Sequence, residues 1–148
     1  NDLWWRERKL GGVLLESSGG PDVFAVVAGV GLNVALPPAA AAAIDQPWVD
    51  LREILGVEPI ARNRLAALLI SELIETFVRF QGGGFADLAA EWAEFDRVVG
   101  RRVRLTLPNT TLIGIARGVD ATGALLLETA DGRLRPCIGG EISLRLEP

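Results

Sequence analysis

The segment KLGGVLLESSGGPDVFAVVAGVGLNV (residues 9–34) decides the first part of the fold, because it contains two apolar runs separated by a dense turn signal. The first run, residues 9–16, has the length of a strand, and the serine, glycine, proline and aspartate residues after it are typical of a turn. The second run, residues 24–34, is rich in β-branched residues and is interrupted by Gly29 and Gly31, which favours a buried strand over a helix. Together the runs predict an antiparallel hairpin with one face covered by helices.

After a loop rich in proline and alanine, the sequence predicts three helices. Asp50 can cap a short helix that stops at Gly56, and Asn63 can cap a longer helix that ends at the glycines of residues 82–84. A third short helix is predicted over residues 85–96. The apolar residues of the long helix recur at helical spacing and are Leu65, Leu69, Leu73, Phe77 and Phe80.

From Arg101 onward the apolar pattern changes to a period of two, which is typical of strands. Five short apolar runs separated by tight turn sequences cover residues 103–107, 112–119, 124–128, 133–138 and 142–146. Short strands joined in this way predict a small SH3-like β-barrel. The predicted fold class is therefore α+β, with a domain boundary near Gly100 that divides residues 1–99 from residues 100–148.

Composition excludes several classes of function. The net charge is -4, so the chain lacks the broad basic field that nucleic-acid binding requires. The apolar stretches are too short or too interrupted to span a membrane, and the one cysteine, Cys137, cannot form an internal disulfide. We therefore expect a cytoplasmic protein in which this chain binds neither nucleic acid nor membrane. Since the chain opens at Asn1 on a polar and aromatic run, we also expect its natural start to lie upstream.

Two polar residues at the ends of the predicted hairpin each allow two interpretations. Lys9 is either a solvated charge at a strand end or, because Gly11 and Gly12 leave room for a ligand, a cation beside a cleft. Asn33 ends a Gly-x-Gly-x-Asn segment that lacks the third glycine and the following helix of a dinucleotide-binding fingerprint. Its side chain either caps a turn or offers an oxygen to a hard cation such as Mg²⁺.

The remaining candidate motifs are weak when each is taken alone. Asn1-Asp2 is a common turn dipeptide. Trp48 is either an anchor for the helix that follows it or an aromatic wall for a nucleotide base. Glu141 and Arg145 alternate along the last predicted strand, where a surface ion pair contributes little.

Taken in order, these motifs resemble those of the bacterial biotin protein ligases. The resemblance is carried by Asn1-Asp2, Lys9–Glu16, Gly29–Asn33, Trp48, and the barrel sequences of residues 123–127 and 140–145. It spans the whole chain and implies part of a class II synthetase-like mixed sheet with helices, followed by the SH3-like barrel. The family joins biotin to ATP to form biotinyl-5′-AMP, and then transfers biotin to a lysine of a biotin carboxyl carrier protein.

The resemblance also implies roles for individual residues. Lys9 is the expected catalytic cation and contacts biotin together with Gly12 and Gly29. The expected ATP-binding residues are Asn1, Asp2, Asn33, Trp48, Glu141 and Arg145, and the expected Mg²⁺ ligands are Asp2 and Asn33. These residue types agree with the reaction, because adenylation develops negative charge that cations in a partly dry cleft stabilise.

The sequence departs from the family pattern in one region. The family's glycine and arginine-rich biotin-phosphate loop, and the Lys-Trp-Pro that precedes Asn1 in its motif, are absent from these 148 residues, so we expect the chain alone to be inactive in adenylation. The alternative hypothesis is a non-enzymatic SH3-like interaction module, which accounts for the barrel but not for the order of motifs before Arg101. Open hairpin edges pair readily, so a homodimer is compatible with either hypothesis.

Overall fold

The protein is described by a computed structural model, which covers residues 1–20, 24–107, 110–138 and 143–146. The chain divides into two compact units, Asn1–Leu69 and Ile70–Pro148, and each unit contains one antiparallel sheet. Helices and two sheets together confirm the α+β class. The domain boundary expected near Gly100 remains a prediction. No helix within the described residues is long and apolar enough to cross a membrane.

The first unit is built on a three-stranded sheet. Its strands are β1 (Asp2–Trp5), β2 (Arg8–Gly19) and β3 (Phe24–Leu32), in the spatial order β1-β2-β3 with both pairs antiparallel. The β2–β3 hairpin confirms the sequence prediction. Strand β1 was not predicted, because Asn1-Asp2 has the composition of a turn and carries no apolar alternation of its own.

The helices confirm some of the predicted boundaries and correct others. Their bounds are α1 (Pro38–Ala41), α2 (Leu51–Leu55), α3 (Arg62–Gly83), a 3₁₀ turn (Gly84–Asp87) and α4 (Ala89–Phe95). Asp50 caps α2, and Gly56 ends it with a left-handed φ of 64°. The prediction for Asn63 was wrong, because α3 begins one residue earlier and the Leu65 amide already donates to Ala61 O at 3.0 Å. Helix α1 was missed, although its proline stands at the first helical position.

The second unit contains the predicted five-stranded β structure. Its strands are β4 (Arg102–Leu107), β5 (Thr110–Val119), β6 (Leu125–Thr129), β7 (Leu134–Cys137) and β8 (Ser143–Leu146), in the order β7-β6-β5-β4-β8. Val103, Ala116 and Leu127 are fully buried between them. Alternating buried and exposed residues along β4 reproduce the period of two seen in the sequence.

Candidate functional site

An open hollow of about 430 Å³ lies on the three-stranded sheet of the first unit. It is lined by Asn1, Asp2, Lys9, Gly12, Val13, Leu14, Gly29, Val30 and Gly31. Five of the residues singled out from the sequence therefore line one hollow: Asn1, Asp2, Lys9, Gly12 and Gly29. Asn33 and Trp48, the other candidates in this unit, are not among its lining residues.

Glycines form the floor of the hollow. Gly12 pairs with Gly31 and Leu14 pairs with Gly29, so these positions share one face of the sheet. A Cβ atom added at Gly29 or Gly31 would meet its nearest neighbour only at 3.8 or 4.0 Å, so the backbone tolerates a side chain at both positions. The missing side chains consequently leave space for a ligand.

Lys9 and Asp2 form an ion pair at the edge of the hollow. The distance from Lys9 Nζ to Asp2 Oδ1 is 2.8 Å, and the two side chains are 30% and 27% exposed. In a regular strand Lys9 would face away from Gly12, the partner of Asp2. A bulge at Leu10 shifts the register, because Leu3 pairs with Gly11 whereas the next residue of β1 pairs with Lys9. The extra residue brings the ammonium group to the side of the carboxylate.

The backbone of Lys9 is held by the loop that precedes α2. The Lys9 amide donates to Pro47 O at 2.9 Å, and Lys9 O accepts from the Val49 amide at 3.0 Å. These two bonds make a short parallel bridge between Lys9 and Trp48, which is half-buried. Trp48 therefore lies beside the Lys9 backbone, although it does not line the hollow.

Asn33 reinforces this bridge through its amide nitrogen. Asn33 Nδ2 donates to Lys9 O and to Val49 O, both at 3.2 Å. Both hydrogens of the amide group are thereby used, and the side-chain oxygen Oδ1 remains as its acceptor atom. Asn33 follows the end of β3 and is outside the lining of the hollow. Sequence reasoning had not identified this contact with the Lys9 backbone.

Asp50 is a further residue of this region that the sequence analysis treated only as a helix cap. It is 2% exposed, and its two oxygens accept from the Glu53 amide at 2.9 Å and from the Leu36 amide at 3.0 Å. Burial raises the pKa of this carboxyl group, but the two amide bonds and the charge of Arg52 outweigh burial and lower the pKa below its ordinary value. No sequence signal indicates the contact with Leu36, which lies 14 residues away.

The two barrel candidates have no described side chain. Glu141 lies outside the described residues, and Arg145 belongs to β8 of the second unit, where only the backbone is described. Within the described ranges no group of three or more Asp, Glu, Cys or His side chains could hold a metal ion. Asp2 supplies one carboxylate, a donor set that fits Mg²⁺ when substrate phosphates and water complete the coordination.

Comparison with known proteins identifies the family. The profile of the biotin protein ligase C-terminal domain matches residues 98–145. The bifunctional ligase/repressor BirA of Escherichia coli is 40% identical over 146 residues, which cover 98% of this chain and 44% of BirA. The biotin--[acetyl-CoA-carboxylase] ligase of Paracoccus denitrificans is 32% identical over 142 residues, covering 90% of this chain and 56% of that protein. The chain belongs to the biotin protein ligases.

A solved structure supports the same assignment. The biotin protein ligase of Aquifex aeolicus in complex with biotin and ATP has a TM-score of 0.79 and 25% identity, covering 99% of this chain and 60% of that one. The family resemblance drawn from the motifs is thus confirmed, and these homologues are biotin ligases. The chain spans about half the length of the curated relatives it matches.

Proposed function

We propose that the full-length protein containing this chain activates biotin with ATP and transfers it to a lysine of a biotin carboxyl carrier protein, as the resemblance to the family implies. In the first step a biotin carboxylate oxygen bonds to the α-phosphorus of ATP and pyrophosphate leaves, giving biotinyl-5′-AMP. In the second step the carrier's lysine amine attacks the biotinyl carbonyl carbon, and AMP leaves. The observation that carries the proposal is the Lys9–Asp2 pair at a glycine-floored hollow.

Lys9 is the proposed catalytic residue. Lys9 lines the hollow, where its ammonium group can stabilise the negative charge on the biotin carboxylate and on the bridging phosphate oxygen. The 2.8 Å contact with Asp2 fixes the direction of a flexible side chain before substrate binds. Pre-orientation of this kind lowers the barrier because less reorganisation is needed in the transition state.

The glycine floor is the proposed biotin subsite. Gly12 and Gly29 present backbone without side chains to the hollow, so an apolar ring can lie close to the sheet. Binding there would place the biotin carboxylate toward Lys9.

The nucleotide contacts are proposed from the family resemblance together with placement in the first unit. Asn1, Asp2, Asn33 and Trp48 are the proposed ATP-binding residues of that unit, and Asp2 and Asn33 are the proposed Mg²⁺ ligands. Asn33 supports this role in one respect, because its nitrogen is held by two carbonyls and its oxygen is left to ligate. The metal ion would supply charge neutralisation for the phosphates. Glu141 and Arg145 are proposed to contact ATP from the barrel.

Further proposals concern the domains of the chain, its activity in isolation, its location and its partners. We assign residues 1–99 to the catalytic domain and residues 100–148 to the barrel domain, which the profile match starting at residue 98 supports. The chain alone is proposed to be inactive, because the family's biotin-phosphate loop is not among its residues. A cytoplasmic location, the carrier of acetyl-CoA carboxylase as partner, and pairing into a homodimer complete the proposal.

The decisive experiment compares two neighbouring cations in the full-length protein. Lys9→Ala removes the proposed catalytic charge and should slow adenylate formation at least about a hundredfold, the scale of losing one electrostatic stabiliser. Arg8→Ala removes a cation that pairs with Glu53 at 2.7 Å outside the hollow, and it should retain the wild-type rate within about twofold. Both rates are measured as single-turnover formation of biotinyl-5′-AMP.

Calorimetry with biotinyl-5′-AMP separates the ligase from the interaction module. A ligase should bind the adenylate and lose affinity on Lys9→Ala. A protein that shows no heat with the adenylate, or that keeps full turnover without Lys9, would instead favour the SH3-like module.

A further inference from the structure

Three segments meet at the backbone of Lys9, and hydrogen bonds join them to one another. The segment after β3 is bonded to the start of α2, because the Leu51 amide donates to Asn33 O at 2.8 Å and the Arg52 amide donates to Val34 O at 3.1 Å. The segment before α2 is in turn bonded to Lys9 on both sides of Trp48. The position of the lysine backbone therefore depends on how the two segments are held together.

Asp50 is the one charged side chain among the described residues that is buried. A carboxylate loses favourable hydration when it leaves water, so its burial calls for compensating contacts. A helix cap alone needs only one oxygen, and here Oδ1 fulfils that role by accepting from the Glu53 amide. The second oxygen accepts from the Leu36 amide and so joins the two segments across 14 residues.

Neighbouring residues confirm that the contact lies in a packed position. Val49, which precedes Asp50, is fully buried and donates its amide to Lys9 O. Arg52 Nη2 lies 3.5 Å from Asp50 Oδ2 and adds a positive charge beside the carboxylate. Asp50 is thus connected to the Lys9 backbone through a single residue, Val49, which is fully buried.

We propose that Asp50 is a positioning residue of the ligase: its second oxygen ties the segment after β3 to the segment before α2, and this tie fixes the backbone from which the Lys9 ammonium group reaches the hollow. The inference rests on the proposed function of Lys9. It goes beyond that function because it assigns a catalytic consequence to a side chain that does not line the hollow.

Two substitutions separate the tie from the cap. Asp50→Ser keeps a good N-cap oxygen for the Glu53 amide but is too short to hold Leu36 as well. Asp50→Asn keeps the shape, but it can offer its single oxygen to only one of the two amides and turns an N–H group toward the other. Asp120→Asn is the matched control, because Asp120 also accepts from backbone amides, those of Thr122 and Ala124, in a turn of the second unit.

The experiment measures single-turnover adenylate formation in the full-length protein, well below the melting temperature of each variant. Asp50→Ser and Asp50→Asn should lower the maximal rate about ten- to hundredfold, as expected for a misplaced catalytic group, with a smaller change in the KM for ATP. Asp120→Asn should leave the rate per folded molecule unchanged. A double variant with Lys9→Ala should be no slower than Lys9→Ala alone, because Asp50 acts through Lys9.

The possible outcomes are distinguishable. If both Asp50 variants lose stability but keep the wild-type rate per folded molecule, Asp50 is a structural residue and the inference is overturned while the function of Lys9 stands. The inference is also overturned if the Asp50 substitutions slow the Lys9→Ala background by the same factor as the wild type. If Lys9→Ala itself retains the full rate, the proposed function fails, and the inference fails with it.

Discussion

The two units of the chain use their sheets in opposite ways. In the second unit, Val103, Ala116 and Leu127 are fully buried, so strands β4, β5 and β6 each contribute a side chain to a packed core. In the first unit, Leu14 and Leu15 of β2 are 60% and 63% exposed, and the face that carries Leu14 is floored by glycine. The sheet of the second unit therefore packs around buried side chains, whereas the sheet of the first unit leaves much of its surface open.

Burial of side chains in the first unit is concentrated beside the start of β2. The buried side chains that the structure describes there are Val49 and Asp50, and both belong to the segment that holds the Lys9 backbone. A site that is open to ligand still needs a fixed catalytic group. In the first unit the hollow is floored by glycine, and the two buried residues belong to the segment that is hydrogen-bonded to the Lys9 backbone, which agrees with the proposed role of Lys9.

The largest expected effect tests whether the barrel carries its own stability. Leu127→Ala removes a fully buried side chain and should lower the free energy of unfolding by about 2–5 kcal/mol. Leu134→Ala, at a residue that is 56% exposed on β7, should cost less than about 0.5 kcal/mol. Urea unfolding followed by circular dichroism measures both. Equal losses for the two leucines would contradict a core centred on Leu127.

The next prediction tests the open floor of the first unit. Gly31→Val should weaken biotin binding by the full-length protein about ten- to hundredfold, because the new side chain projects from the glycine floor into the hollow. Its thermal stability should change little, since a Cβ at Gly31 meets no atom closer than 4.0 Å. Calorimetric titration with biotin measures the change.

Gly11→Ala, on the neighbouring strand β2, is the contrasting variant. A Cβ at Gly11 would collide with the backbone carbonyl of Gly31, so this substitution should destabilise the fold instead of altering the ligand site. Unchanged biotin affinity in Gly31→Val would contradict the assignment of the hollow as the biotin subsite.

Acid should weaken the buried cap of the first unit. The pKa of Asp50 is lower in the folded protein than the ordinary value of 3.8, so the unfolded chain takes up the proton first as the pH falls. The stability that ionised Asp50 contributes is complete above about pH 5, begins to fall as the pH nears 3.8, and is lost below the folded pKa. Urea unfolding between pH 6 and about pH 3 should show a shallower acid loss in Asp50→Asn than in the wild type.

Asp120 and Asp131 provide the control for this titration. Hydrogen bonds from Thr122 and Thr129, respectively, are the main cause of their lowered pKa values, and both carboxylates lie in the second unit. The loss of stability that follows from protonating Asp120 and Asp131 should persist in Asp50→Asn. If the free energy of unfolding had the same pH dependence in the wild type and in the variant, the ionised form of Asp50 would contribute nothing to the stability of the fold.

The features that could be predicted from the sequence are those that depend on residues close together along the chain. The hairpin, the five short strands, and the α2 cap and stop at Asp50 and Gly56 follow from periodicity and local turn chemistry. The error at Asn63 has the same origin, because a good capping residue at the second position of the helix cannot be distinguished from the true start without the contacts of α3. Such boundaries shift by a residue or two even when the element is correct.

The candidate site was predictable in its residue types and less so in its geometry. Lys9 and Asp2 could be named from their motifs, but their 2.8 Å contact depends on a bulge at Leu10 that no local pattern encodes. The bonds of Asn33 to Lys9 O and Val49 O join residues 24 and 16 positions apart. Contacts of that separation are set by register and by how loops meet, which a single sequence does not specify.

The smallest expected effect concerns the surface of the packed sheet. Arg117 Nε lies 2.6 Å from Glu128 Oε2 on neighbouring strands, but the side chains are 46% and 34% exposed. Solvent screens such a pair, and holding two long side chains costs entropy, so the double-mutant cycle of Arg117→Ala with Glu128→Ala should give a coupling below about 1 kcal/mol. Urea unfolding of the four proteins at low and high salt measures it, and the coupling should shrink with salt. A coupling above about 2 kcal/mol that salt leaves unchanged would mean that this unit is stabilised by its surface charges as well as by Leu127, and the contrast with the first unit would have to be redrawn.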